Sequence, residues 1–194
     1  MLHLNLNQPI WDHFFLVAPL VVIGTRELEG GYDLAPKHMA MPLGWDNYFG
    51  FVCTPRHHTY QNVCREHAFT VSFPRPDQVV LASLSAAPRC GEVVKPALAA
   101  LPTVPASVID GVFLQHASLY LECELDRIVD GFGENSLIAG KIVAAQVQEQ
   151  AQRISDQDDQ DTLRQSPLLA YLSPGHYTTI DQSAAFPFHV GFQR

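Results

Sequence analysis

The feature that most restricts this chain is a pair of long extended runs joined by a short glycine-bearing link. "GVFLQHASLYLECELDRIV", Gly111 to Val129, is followed by "SLIAGKIVAAQVQEQ", Ser136 to Gln150, with "DGFGEN" between them. Both runs are rich in β-branched and large apolar residues, and the link has the composition of a hairpin loop. The first run is long enough to bend between two parts of a barrel.

Shorter segments upstream repeat the extended signal. "APLVVIGTRE", Ala18 to Glu27, is a β-branched run closed by "EGGYD", whose glycines supply the positive φ of a tight reversal. "DLAPKHMAM" from Asp33 and "NYFGFVCT" from Asn47 come next, parted by the turn-like "PLGWD", so a three-stranded antiparallel start is expected. "TYQNVCREH" predicts a short helix with Thr59 at its N-cap, and "AFTVSFP" from Ala68 returns to strand. Asp77 is placed to cap "QVVLASLSAA", where Val80, Leu81 and Leu84 follow helical spacing.

"PRCGEVVKPALAALPTVPAS" reads as a loop with a short helix. The polar "SDQDDQDTLRQS", Ser155 to Ser166, reads as a solvated excursion before folding resumes at "PLLAYLSPGHYTTI". Short strands, Gly/Pro turns and few helices predict a mainly β, antiparallel barrel, with residues 1–194 as a single domain and no internal repeat.

Charge narrows the partners. Twenty acidic against 12 basic side chains give a net charge of −8, which opposes attraction to nucleic acid or to an anionic membrane but leaves room for a local basic site. Cys53, Cys64, Cys90 and Cys123 form no Cys-x-x-Cys pair, so reduced, mostly buried thiols are expected. The start "MLHLNLNQPIWDHFF" lacks the layout of an export signal, and the apolar run Phe14 to Gly24 is interrupted by Pro19, far short of the roughly 20 residues of a membrane span. A cytoplasmic protein with no membrane or nucleic-acid partner is the expectation.

The chemistry-bearing stretch is "TPRHHTYQNV", Thr54 to Val63. His57 and His58 are adjacent, would face opposite ways on a strand, and lack the spacing from which a metal site is built, so no metal is expected. Cys53 and Cys64 flank the stretch, but no nucleophile signature such as Gly-x-Ser-x-Gly occurs. An anion site has a better case: a strand end, the planar donor fork of Arg56, the Thr59 hydroxyl and the leading amides of a helix converge there. The plainer reading makes Arg56 a surface salt bridge, Thr59 only a cap and the histidines solvated. The residues alone leave both open.

Taken in order, "VVIGTRELEGGYDLAPKHMAMPLG", "NYFGFVCTPRHHTYQNV", "AFTVSFP", "ASLYLECELDRIVDGFGENSLIAGKIVAAQV" and "YLSPGHYTTI" resemble the flavin reductase-like, FMN-binding split-barrel family. The resemblance runs from about Pro19 to Ile180. It implies a split β-barrel with Greek-key connections and a few short helices, a homodimer, and flavin sites near the subunit interface. It also implies hydride transfer from NAD(P)H to bound FMN, in some relatives on behalf of a partner oxygenase.

Carried onto this sequence, the resemblance assigns Lys37, His38, Met39 and Ala40 to the ring and ribityl region, largely through backbone groups. Cys53, Thr54, Arg56, Thr59 and Asn62 fall to the ribityl chain and phosphate. The family's late hairpin commonly carries a His thought to face the nicotinamide; here Asn135 stands at that place. An amide can donate a hydrogen bond but cannot titrate, so flavin binding without turnover, as a carrier or sensor module, is the rival expectation. Asn135 and His176 are the candidates for contact with the donor. No Gly-x-Gly-x-x-Gly opens a helix, so a nicotinamide would bind transiently rather than in a Rossmann site.

Overall fold

The structure, a computed structural model, describes residues 1–89, 95–154 and 157–191. A single 3-10 turn, Trp11–His13, leads into β1 (Leu16–Pro19) and β2 (Val21–Arg26). Gly30 and Gly31, at φ of +97° and +79°, turn the chain into β3 (Tyr32–Lys37), a reversal that a Cβ would strain. Two residues, His38 and Met39, separate β3 from β4 (Ala40–Pro42), and β5 (Tyr48–Cys53) follows. Helix α1 (His58–Glu66) leads to β6 (Ala68–Phe73), and α2 (Val79–Leu84) to β7 (Thr103–Pro105) and β8 (Val112–Leu114). The long hairpin is β9 (Leu119–Phe132) and β10 (Asn135–Val147); α3 (Asp159–Gln165), β11 (Leu168–Ser173) and β12 (His176–Ile180) complete the order.

Seven strands make one antiparallel sheet in the order β3-β2-β6-β9-β10-β5-β4, beside a three-stranded sheet β1-β11-β12 and the pair β7-β8. The two edges of the large sheet, β3 and β4, are consecutive in the chain. From Lys37 to Ala40 the backbone reaches at most about 11 Å. Laid flat, seven strands would put those edges about 29 Å apart. The sheet therefore curls until its edges meet, and a stretch of chain, not a ladder of hydrogen bonds, closes it. The connection from β5 through α1 to β6 crosses between strands that are not neighbours, which gives the Greek-key connectivity.

The curl has an inside and an outside. Val21, Ile23, Phe49, Phe51, Val63, Phe69, Val71 and Ile138 fill the interior, while Val22, Leu34, Ala82, Leu101, Val112 and Leu114 pack outside β2. Because β2 is covered on both faces, its sequence is a continuous apolar run and not an alternation. Among the described residues no helix is long and apolar enough to cross a membrane.

Several expectations change. The three-stranded start is not one meander: β3 pairs with β2, whereas β4 and β5 lie at the far edge, because β10 takes the place beside β5. The long run from Gly111 does not bend as one strand; it breaks between β8 and β9, where His116 adopts φ +65° and the Tyr120 hydroxyl donates to the Leu114 carbonyl and accepts from the Ala117 amide. His57, not Thr59, is the N-cap of α1, since the chain turns at Thr54 and the helix starts early enough to bury Thr59 in its first turn. Asp77 binds Arg75 instead of capping α2, and Gln78 accepts from the Arg75 amide.

Helix α2 turns small residues inward: Ala82 is buried, while Val80 and Leu84 are exposed. The polar segment contains α3, capped by Asp158 and seated through buried Thr162 and Ser166. Ser155 at its start lies outside the described residues, as does Cys90. Cys53 and Cys123 are buried free thiols, and Cys64 is half-buried.

Candidate functional site: a basic cavity at the head of helix α1

The end of β3, the loop after β5 and the head of α1 meet around a cavity of about 450 Å³. Asn62 fixes this meeting from below. Its Nδ2 donates to the Thr25 hydroxyl on β2 at 3.0 Å, and Arg65, which also donates to the Arg26 carbonyl, donates to its Oδ1 at 2.9 Å. Helix α1 is thereby tied to the strand that pairs with β3. Among the described residues no side chain caps its leading end, which leaves the amides of His58 and Thr59 open to a ligand.

The cavity gathers Lys37, Arg56, Arg89 and Lys95, four cations in a chain whose net charge is −8, together with His57 and Thr59. Two of the cations are anchored. Lys95 lies 2.8 Å from the carboxylate of Asp33, which is 2% exposed, and donates to the carbonyls of Leu34 and Ser85. Arg89 lies 3.2 Å from Asp33 and pairs with Glu27, which His58 also approaches at 3.7 Å. The Lys37 ammonium stands beside Cys53: burial pushes that thiol up, and Lys37 pulls it partway back. Partial burial and the charges of Lys37, Arg56 and Lys95 push His57 below its ordinary 6.5. Its residue stands at the exposed rim, so the cations are the more telling cause.

The tip of the β9-β10 hairpin rests on the same loop. The Thr54 hydroxyl donates to Oδ1 of Asn135 at 3.1 Å, the Tyr60 hydroxyl donates to Asp130 at 3.2 Å, and Arg56 lies 3.4 Å from Glu134. Strand pairing of Ser136 with Cys53 puts these groups side by side.

The expected site residues are distributed as follows. Lys37, Arg56 and Thr59 share the cavity, with Thr54 and Asn135 beside it. Asn62, 1% exposed, lies behind the helix face, with its amide engaged by Thr25 and Arg65. The side chains of Ala40 and Cys53 point into the barrel core, leaving their backbone for any ligand, and Met39 is half exposed. His38 and His176 meet in a neighbouring cavity of about 270 Å³, separated from the first by Pro36, which lines both. There His38 stacks on Tyr171 at 4.4 Å, and burial, helped by Lys37, lowers its pKa. Sequence reasoning missed Arg89 and Lys95. They come from a distant segment with no motif, and only the need of buried Asp33 for counter-charge points to them.

Among the described residues no group of His, Cys, Asp or Glu could hold a metal ion. The donor set fits a phosphate monoester: fixed amides, the Arg56 guanidinium fork and the Lys37 ammonium, with Lys95, held by the buried Asp33 carboxylate and two carbonyls, adding charge.

A curled sheet closed by chain, with a basic cavity at a helix head, is the architecture of a split barrel. Residues 14–180 match the flavin reductase like domain, and the chain belongs to that family. Solved structures share the fold. Nitrilotriacetate monooxygenase component B from Bacillus cereus superposes with a TM-score of 0.80 at 18% identity, covering 96% of this chain and 98% of that one. An FMN-binding protein from Thermus thermophilus gives 0.78 at 21% over 95% and 99%, and flavoredoxin from Methanosarcina acetivorans gives 0.77 at 20% over 98% and 97%. No curated protein matches the chain.

Proposed function

We propose that this chain binds FMN with its phosphate in the basic cavity and works as an NAD(P)H-dependent flavin reductase. The observation that carries the reading is the convergence of Lys37, Arg56, Arg89 and Lys95 on the uncapped end of α1 in an otherwise acidic protein. Arg56, Thr59 and the leading amides would bind phosphate, and Thr54 and the Cys53 backbone the ribityl chain, with Asn62 holding the helix in place. Lys37, His38, Met39 and Ala40 would line the ring, Ala40 through its backbone. Bound there, FMN supplies the hydride acceptor, so the protein needs no nucleophile or acid of its own.

Asn135 and His176 would orient a nicotinamide by hydrogen bonding. The reading includes a homodimer, a cytoplasmic setting where the donor is found, and reduced flavin passed to a partner oxygenase. The presence of component B of a monooxygenase among the fold neighbours supports that last element.

Asn135 favours a second reading, a flavin-binding carrier or sensor without turnover, because an amide cannot titrate. Reconstitution with excess FMN followed by desalting tests the first step: retained flavin absorbance near one per chain is expected, and colourless protein refutes it. Stopped-flow mixing with NADH and NADPH then separates the two readings, since rapid bleaching excludes the non-catalytic one.

A further inference from the structure

Glu134 stands where the hairpin tip meets the wall of the cavity. Its carboxylate is 3.4 Å from the guanidinium of Arg56, with the two side chains 76% and 71% exposed. The backbone that presents it is fixed. Gly133, at φ +64°, opens the two-residue turn between β9 and β10 and puts Glu134 second in it. On one side of the turn Asp130 accepts from Tyr60 at 3.2 Å and from Ser136 at 2.6 Å; on the other, Asn135 accepts from Thr54 at 3.1 Å. The tip is therefore pinned to the loop and helix that build the anion cavity.

Arg56 belongs to both structures. It lines the cavity, and it pairs with a carboxylate outside it. A guanidinium offers five donors but a single charge, so an anion entering the cavity and Glu134 draw on the same attraction. We propose that Glu134 sets the affinity of the site, holding Arg56 toward the hairpin and competing with a phosphate-bearing ligand for it. This rests on the reading of the cavity as a phosphate site and adds what tempers the strength with which that site holds its ligand. Linkage makes the effect reciprocal, so a bound phosphate monoester releases Glu134 from Arg56.

The test is titration of the full chain with FMN and with riboflavin, followed by flavin fluorescence, in wild type, Glu134→Gln, Arg56→Ala, the double variant and Glu149→Gln. Glu149 carries the same charge beyond the other end of β10 and controls for net charge. For an exposed pair, Glu134→Gln should tighten FMN by roughly two- to fivefold and leave riboflavin unmoved. The gain should vanish in the Arg56→Ala background and exceed that of Glu149→Gln. Unchanged FMN affinity, an equal gain for riboflavin, or a gain that survives loss of Arg56 overturns the proposal. Inorganic phosphate, read by phosphorus NMR, separates the two levels. An Arg56-dependent gain for phosphate without FMN binding refutes the flavin reading and leaves this one standing, whereas binding of neither ligand refutes both.

Discussion

Thr54 donates its hydroxyl proton to Oδ1 of Asn135 over 3.1 Å, which fixes the amide so that its nitrogen remains a donor at the hairpin tip. If that donor orients a nicotinamide, Thr54→Val should raise KM for the donor by about two- to tenfold, the worth of one net hydrogen bond, while Thr54→Ser keeps the wild-type value. Steady-state kinetics with saturating FMN measure this. A loss confined to FMN affinity, with KM unmoved, would leave Thr54 with the ribityl chain alone.

If Arg56 holds the phosphate as proposed, Arg56→Ala should weaken FMN far more than riboflavin, which lacks that group. For one charge-assisted contact the difference is about 1.5–3 kcal/mol. Paired titrations decide it, and equal losses for the two ligands would move the phosphate elsewhere.

Glu122, 1% exposed, accepts hydrogen bonds from the Ser107, Val108 and Ile109 amides and from the Ser107 hydroxyl. Burial pushes its carboxyl up, but these donors outweigh burial and hold it below its ordinary 4.5. Glu122→Ala leaves the donors buried and unmet, so a loss of about 3–5 kcal/mol in urea unfolding is expected. A depressed carboxylate stabilises fully above its unfolded value and loses that contribution as pH falls through its folded value. The variant should accordingly show a shallower acid limb than wild type; parallel limbs would count against the assignment.

His38 and His57 carry the opposite charge type with the same sign of linkage. Both lie below their ordinary 6.5, His38 through burial and then Lys37, and His57 through partial burial and its surrounding cations. The folded state binds fewer protons than the unfolded chain in that window, so the contribution is whole above pH 6.5 and lost as pH falls through the depressed values. The urea midpoint should drop below pH 6.5, less so in His38→Phe, and added FMN should lessen the loss attributable to His57. A midpoint insensitive to pH, or to the His38 substitution, would contradict this.

Local chemistry made much of the framework legible. The β-branched run at Val21, the glycines of the first reversal and the "DGFGEN" link each dictate conformation within a few residues, and each is found in place. What depends on distant packing was not legible. Nothing around Tyr48 says that β10 will lie beside β5, and nothing around Ala82 says that a small residue, not Val80, will face inward. The site divides along the same line. Arg56 and Thr59 reach the cavity from one short stretch of sequence and could be grouped by their neighbours, whereas Arg89 and Lys95 reach it through the buried charge of Asp33.

The link His38–Met39, which joins the two edges of the large sheet, separates what holds the barrel from what its wall presents. Strand pairing depends on backbone groups along β2, β6, β9 and β10, and none of it is written in the side chains at that join. A lineage can therefore replace those side chains generation after generation, and so hand one scaffold from ligand to ligand, without renegotiating the ladder. The same curl recurs in solved structures that share only 18–21% of their residues with this chain.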